Sequence, residues 1–373
     1  MKILGMISGT SVDGIDLALI DLVEPSNQQI QIELLAAHTY PYPEQLRHEI
    51  LQVCAAAPRT FSQIDQLDRA IAQTFAQAAQ DLIKTSQLTP ALIASHGQTL
   101  FHQPPTPTQL GTSWQLGKGE LIAHHTNITT ISNFRAADLA LGGEGAPLVP
   151  IVDWLLLTDP HHHRCIQNIG GISNFTYLPA NATADQVIGC DNAPGNVLID
   201  LATQRFFNQP YDRNGELASQ GQIDQNLIQT WLQEPYLQLP PPKSTGRELF
   251  TPAYLNHLIS QAPSLSPHDL LACLTEFTAQ AIAQSYQRFL PQPPDQVYIC
   301  GGGSRNLYLQ TRLTSLLAPS QVFSTDTLNL DPNFKEAIAF AVLGYLRLQH
   351  LPGNLPRVTG AKRATPLGEI HHP

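Results

Sequence analysis

Charged residues are scarce in this sequence: Asp, Glu, Lys and Arg make up 13% of its 373 residues, about half the usual share. Basic residues are the scarcer kind, 20 Lys and Arg against 30 Asp and Glu, for a formal charge of −10. That balance excludes nucleic acid as the main partner, because gripping a phosphate backbone needs a basic stripe. It leaves a phosphate ligand open, since backbone amides hold phosphates without side-chain charge. Cysteine is sparse too. Cys54, Cys165, Cys190, Cys273 and Cys300 stand apart, with no CxxC pair, which excludes a disulfide frame or zinc site and predicts reduced thiols. No uninterrupted apolar run approaches the roughly 18–20 residues that span a bilayer. The opening MKILGMISGTSVDGIDLALIDL has no long apolar core or cleavage-like end, so no signal peptide is expected. These absences predict a cytoplasmic globular protein without a membrane partner.

What is present is enough apolar residue, 42%, to build real cores, and a length that suits two domains of ordinary size. Two segments share one pattern of strand, small-residue turn and strand. Lys2–Asp21 turns through Ser8-Gly9-Thr10-Ser11-Val12-Asp13-Gly14, and Cys165–Leu178 through Gly170-Gly171-Ile172-Ser173-Asn174; both read as hairpins. Lying about half a chain apart, they suggest two related domains that each open with a hairpin. Apolar residues at helical spacing predict helices over Asp65–Lys84, Asn196–Phe206, His268–Leu290 and Lys335–Leu348. Asp331-Pro332 reads as the start of the last one. Proline-rich stretches at 104–107, 240–242 and 291–294 are expected loops. Strands alternating with helices indicate an α/β fold with mostly parallel central strands.

Several segments carry chemistry, each beside a plainer reading. The turn Gly9–Gly14 exposes backbone N–H groups and hydroxyls that suit a di- or triphosphate, and Asp13 could hold Mg²⁺ through water. An ordinary hairpin turn would have the same composition. Gly301-Gly302-Gly303-Ser304-Arg305-Asn306 follows the apolar strand Val297–Cys300, and three glycines let backbone approach a flat ligand closely. It is not GxGxxG, and no GxxxxGK[ST] loop occurs anywhere; a tight strand-to-helix turn is the plain alternative. Asp191 precedes the helix from Val197, where the helix dipole favours a carboxylate anion fit to act as a general base; a simple helix cap is the alternative. Glu336 alone says nothing. Ser95-His96-Gly97-Gln98-Thr99 ends a strand, where α/β proteins place ligand residues, though a lone histidine there is more often structural. His161-His162-His163 reads as a surface loop, and His371 and His372 as a mobile terminus.

Taken together, these motifs resemble the anhydro-N-acetylmuramic acid kinase family. The resemblance rests on Ile7–Asp16, Ser95–Thr99, Gly142–Pro150, Asn168–Asn174, Asp191–Asn196, Lys243-Ser244-Thr245-Gly246-Arg247-Glu248, Gly301–Asn306 and Glu336–Ala341, in order along nearly the whole chain. It implies two similar α/β domains of the actin-like ATPase type flanking a nucleotide cleft. Residues 1–150 with 345–373 would form the first domain, and 151–344 the second. ATP would lie on Gly9, Thr10, Ser11, Val12, Asp13, Gly14, Ile15 and Asp16, on Gly170 and Gly171, and on Gly301, Gly302, Gly303 and Asn306. Asp13 would face Mg²⁺, Asp191 would be the catalytic base with Glu336 in support, and Arg135 and Asp138 would lie on the sugar side. The implied partners are ATP and a small sugar, with a homodimer left open. Asn133 stands where the family usually has an acid, Glu144 where it has Gln, and Asn192-Ala193 where it has Thr-Gly or similar. The last departure removes backbone freedom beside Asp191 and so bears on rate. An ordinary amino-sugar kinase and a non-enzymatic actin-like ATPase are the rival readings.

Overall fold

Alternating apolar residues bounded by small-residue turns produce two sheets of closely matching strand order. The computed structural model describes residues 1–9, 12–23, 30–106, 108–246 and 249–373. One compact unit comprises Met1–Leu156 and Phe334–Pro373, and the other Leu157–Asn333.

In the first unit, β1 (Lys2–Ser8), β2 (Ile15–Val23) and β3 (Gln31–Tyr40) form an antiparallel meander. β4 (Leu92–Gln103) joins β1 in parallel, β5 (Thr112–Leu116) folds back on β4, and β6 (Thr130–Ser132) extends the sheet in parallel. In the second unit, β7 (Arg164–Ile169), β8 (Ser173–Leu178) and β9 (Ile188–Ala193) form the corresponding meander. β10 (Gln296–Cys300) and β11 (Gln321–Ser324) add to β7 in parallel. The order β3-β2-β1-β4-β6 in one unit thus repeats as β9-β8-β7-β10-β11 in the other. These are the two similar α/β domains that the resemblance implies.

The central pairs β1–β4 and β4–β6 of one unit, and β7–β10 and β10–β11 of the other, run in parallel as expected, and each unit adds a three-strand meander beside them. Strands joined by a short turn can only run antiparallel. One correction concerns the C-terminus, which is not a mobile tail. β12 (Glu369–His371) pairs antiparallel with β6, and Ser132 Oγ lies 2.9 Å from His371 Nε2.

The helices bury one face against these sheets. Phe61–Ser86 starts with a capping box between Thr60 and Gln63 and buries Leu67, Ile71, Phe75, Ala79 and Leu82. Pro267–Phe289 is capped by Ser266, whose side chain accepts the Asp269 N–H, and is buried almost all round from Leu270 to Tyr286. Lys335–Leu348 lies against β1 and β4 at two glycines. A Cβ on Gly5 would collide with the Ala337 carbonyl, and one on Gly344 would sit 2.6 Å from Ala94 Cβ. This helix belongs wholly to the first unit, so the unit boundary falls before Phe334 and not at the expected 344/345. Nor does the helix start at Asp331-Pro332. Asp331 instead accepts the Asn333 N–H at 2.9 Å in a local turn, and the Pro332 carbonyl accepts the Gly301 N–H at 3.0 Å. The buried ion pair of Lys335 Nζ with Asp153 Oδ1 at 2.7 Å anchors the helix start.

Candidate active site

The first unit brings the Gly9–Gly14 turn, Asp16 and Glu336 to one end of its sheet. Thr10 and Ser11, expected phosphate contacts, lie outside the described residues. The rest of the turn is held from several directions. Val12 N–H donates to the Gly9 carbonyl at 3.1 Å, and Ser8 Oγ to the Gly14 carbonyl at 2.8 Å. Gln98 Nε2 reaches the Gly9 carbonyl at 3.2 Å, which gives the Ser95–Thr99 motif a first role. Val12 has φ +57, a left-handed conformation that is costly for a β-branched residue. Its side chain and that of Ile15 are fully buried, so both shape the turn without offering a side chain to a ligand. Gly14 allows close approach of β3, since a Cβ there would meet Thr39 Cγ2 at 2.7 Å.

Asp13 is the open carboxylate of the turn, 73% exposed, with Arg47 Nη2 at 3.4 Å; Arg47 Nε also donates to the Val12 carbonyl at 2.8 Å. Asp16 is different. Burial pushes its pKa up to about 6 against the lowering effect of Thr39, whose hydroxyl donates to Oδ1 at 2.6 Å. The nearby charges of Glu336 and Asp13 raise it further. Glu336 sits in the first turn of Lys335–Leu348.

Farther along the same unit, Arg135 donates to two imidazoles, Nη2 to His96 Nε2 and Nη1 to His102 Nδ1, each at 3.2 Å. A guanidinium has no acceptor, so both histidines must be neutral with those nitrogens bare. Burial first, and then the Arg135 charge, push His102 down to about 3 and His96 well below the usual histidine range. His96 stacks on Phe340 at 4.4 Å, and its buried Nδ1, like Ser95 Oγ, has no hydrogen-bond partner. Among the described residues these two buried polar groups are unsatisfied. Asp138 is fully buried and saturated. It accepts from Gly145 N–H at 2.9 Å, Asn354 Nδ2 at 2.6 Å and Thr359 Oγ1 at 2.7 Å. Asp138 thereby ties the Gly142–Pro147 loop to the C-terminal segment.

The second unit gathers the turn Gly170–Ile172 between β7 and β8, here loop 2, with Asp191 and the Gly301 turn. The Gly170 and Gly171 carbonyls accept the Asn196 and Val197 N–H groups at 2.9 and 3.1 Å, so loop 2 caps the helix Val197–Phe207. A Cβ on Gly171 would meet nothing within 4 Å, and one on Gly302 only Asn196 Nδ2 at 3.9 Å. These open glycine faces fit a phosphate chain and a nucleoside. Gly301, with φ +77, and Gly303 instead pack against β7. Asn306 caps the next helix, its Oδ1 accepting the Leu309 N–H at 2.9 Å.

Asp191 lies within β9, 7% exposed. Its carboxylate Oδ2 accepts the Thr245 N–H at 2.9 Å, and its carbonyl accepts Tyr236 Oη at 2.9 Å. The carboxylate thus has a backbone donor from a distant loop. Lys243 secures that donor. Its ammonium lies 4.7 Å from the Tyr236 ring centre and 5.0 Å from that of Phe289, and donates to the Tyr236 carbonyl at 3.0 Å. Burial pushes the Lys243 pKa down, while Cys190 and Asp191 pull it up. The Lys243–Glu248 motif was visible in the sequence without a role; within it, Arg247 and Glu248 lie outside the described residues. Arg47, His102 and Tyr236 belong to no motif the sequence displayed.

The described residues contain no group of three or more His, Cys, Asp or Glu side chains placed to hold a metal, and no helix among them is long and apolar enough to cross a membrane. A single open carboxylate at Asp13 fits Mg²⁺, which keeps several waters and shares substrate phosphates.

The profile of the anhydro-N-acetylmuramic acid kinase family matches residues 1–373. Relatives bearing that name include proteins of Rippkaea orientalis, 52% identical with all of both chains covered, and of Synechocystis sp., 51% identical over 100% of this chain and 98% of the other. One from Gloeobacter violaceus is 47% identical over 98% of this chain and 97% of the other. Among solved structures, a ROK hexokinase from Thermus thermophilus is similar at 13% identity and a TM-score of 0.40, over 94% of this chain and 99% of that one.

Proposed function

Because this chain belongs to the anhydro-N-acetylmuramic acid kinase family, we propose that it opens 1,6-anhydro-N-acetylmuramic acid with water and phosphorylates oxygen 6 from ATP, recovering a cell-wall amino sugar. The products are N-acetylmuramic acid 6-phosphate and ADP. The observation that carries the reading is the Asp191 carboxylate held by Thr245 N–H on the strand beside loop 2.

The substrate explains why a base is needed. Oxygen 6 is tied to the anomeric carbon, so there is no hydroxyl for an ordinary kinase to phosphorylate. Asp191 takes a proton from a water that attacks carbon 1. The bond from carbon 1 to oxygen 6 breaks, oxygen 6 bonds to the γ-phosphorus, and ADP leaves. Asp191 releases its proton to solvent with the products. The scheme resembles an inverting glycosidase in which the phosphoryl group takes the place of the protonating acid. Glu336 is the supporting carboxylate by family resemblance. Gly9, Gly14, Gly170, Gly171 and Gly302 would hold the nucleotide by backbone, and Arg135 would hold the sugar with the unsatisfied groups of Ser95 and His96. Mg²⁺ at Asp13 would neutralise charge on the phosphates. An ATP-dependent step of this kind belongs in the cytoplasm.

ADP release measured with the anhydro sugar, with free N-acetylmuramic acid and N-acetylglucosamine, and without sugar tests the reading. Turnover is expected with the anhydro sugar far above the others. Equal or faster turnover of a free amino sugar would instead identify an ordinary sugar kinase.

A further inference from the structure

Beneath Asp191 runs a buried chain of side-chain hydrogen bonds that the proposed reaction does not yet use. Its members are Gln167 on β7, Ser173 at the start of β8, Asn192 on β9, and Ser285 and Tyr286 on the helix Pro267–Phe289, and all five are buried. Tyr286 Oη donates to Gln167 Oε1 at 2.8 Å, and Gln167 Nε2 donates to Ser173 Oγ at 2.8 Å. Ser173 Oγ donates to Asn192 Oδ1 at 3.1 Å, and Asn192 Nδ2 donates to Ser285 Oγ at 2.9 Å. Ser285 Oγ ends the chain by donating to the Ile282 carbonyl at 2.7 Å. A cross-link from Asn192 Nδ2 to Gln167 Oε1 at 3.2 Å closes a ring.

The direction of this chain is fixed. A hydroxyl has one proton, and that of Ser285 goes to Ile282, so Ser285 must accept from the Asn192 amide nitrogen. The Asn192 oxygen then faces Ser173, whose own proton it receives. One arrangement satisfies every member, and a fully satisfied buried network specifies a single geometry.

The strand register shows what this geometry controls. Ser173 pairs with Ala193 and Asn174 with Asp191, so the register shifts and Asn192 is the extra residue of a bulge. Bulges re-aim side chains and are enriched beside active sites. Asn192 follows Asp191 directly, and Ser173 directly follows Gly170–Ile172 of loop 2. The network therefore pins the aspartate strand and the exit of loop 2 to each other and to one core helix.

We infer that Asn192 is a positioning residue that sets the Asp191 carboxylate against loop 2 through Ser173 and Gln167. The inference rests on Asp191 being the base proposed above. It assigns a consequence to Asn192, where the family usually has threonine: a hydroxyl can accept from Ser173 and donate once, but its single proton cannot serve both Ser285 and Gln167.

The test compares steady-state kinetics of wild type with Asn192→Leu, Asn192→Thr, Ser173→Ala, the Ser173→Ala/Asn192→Leu pair, and Asp191→Asn. Leu258→Ala, in the helix Pro252–Ser260, serves as a control for lost stability alone. Asn192→Leu is expected to lower kcat about 10- to 100-fold, the scale of a misplacement near 1 Å, with KM for ATP within twofold. Asn192→Thr should recover most of that loss. The double variant should be no slower than Asn192→Leu, because both break the same link. The pH profile of kcat should move on its acid limb in Asn192→Leu and stay unmoved in Leu258→Ala. If Asn192→Leu does not fold, Ser173→Ala carries the same kcat and pH-profile expectations at smaller size. Unchanged kcat in the Asn192 and Ser173 variants, with Asp191→Asn inactive, overturns the positioning role and leaves the base intact. An active Asp191→Asn overturns the base and this inference with it.

Discussion

Thr245 donates its backbone N–H to Asp191 Oδ2 at 2.9 Å across 54 residues of chain. A hydrogen bond to the charged form of a carboxylate favours that form, and Thr245 supplies one to a side chain that is only 7% exposed. In the proposed reaction this carboxylate takes the proton from water. Asp191→Asn retains an oxygen that can accept from Thr245, so melting temperature and ATP affinity should stay near wild type. Turnover of the anhydro sugar should fall by about two to four orders of magnitude, the usual worth of a general base. More than a tenth of wild-type activity in a coupled ADP assay would remove Asp191 from that role.

Asp16 is held against its own charge. Its pKa is raised to about 6 in the folded chain, chiefly by burial, so the native state binds a proton more tightly than the unfolded state. Stability must then fall as pH rises from the unfolded value near 4 to the folded value near 6, and level off above. Asp16→Asn keeps an acceptor for the Thr39 hydroxyl and removes the ionisation. It should be more stable than wild type by about 1–3 kcal/mol at pH 7.5, an advantage that disappears near pH 4. Any effect on catalysis should likewise be confined to pH values above about 6, where wild-type Asp16 is charged. Thermal melts at the two pH values check this, and a pH-independent difference would contradict it.

The open face of Gly171 gives a cleaner test of the nucleotide site than most glycine changes. A Cβ there meets nothing among the described residues within 4 Å, so Gly171→Val should fold and melt within about 2 °C of wild type, as surface changes usually do. If the phosphates occupy that space, ATP binding should weaken at least tenfold while binding of the anhydro sugar is retained. Calorimetry with each ligand separately decides it. Unaltered ATP affinity would make loop 2 a cap for the helix Val197–Phe207 and nothing more.

The parts of this molecule that were legible in its sequence are those whose cause is local. The helices Phe61–Ser86 and Lys335–Leu348 announce themselves by apolar spacing, and the β1–β2 and β7–β8 hairpins by their glycine turns. β12 was not legible, because three residues form a strand only where β6 offers an edge. The hydrogen-bond partners of Asp138 and Asn306 were not legible for a related reason. Motif position shows that a residue matters but not whether it touches a ligand, and both proved to be tied up inside the protein. Asp191 was found as the candidate base from its neighbours in the chain, yet the groups that prepare it, Thr245, Tyr236 and Asn192 with its bulge, depend on strand register and distant loops. Periodicity contains no trace of either.

The destination of the water oxygen separates the proposed reaction from every ordinary sugar kinase. The bridging oxygen leaves carbon 1 of the anhydro sugar from the β face. In-line displacement therefore brings water in from the α face, and a single displacement inverts the centre. The first product should be the α-anomer of N-acetylmuramic acid 6-phosphate. In water enriched with heavy oxygen, the label should appear on carbon 1 and be absent from the transferred phosphoryl group. Ordinary phosphorylation of a hydroxyl would leave the sugar unlabelled in the chemical step, and separate ATP hydrolysis would put the label into free phosphate. Rapid NMR, read before the anomers interconvert, distinguishes these products. A β-anomer formed first, or label in the phosphoryl oxygens of the sugar phosphate, would exclude the concerted displacement even if the final products were the same. Asn192→Leu sharpens the result: with Asp191 misplaced but loop 2 still able to hold ATP, the remaining turnover should shift toward labelled free phosphate.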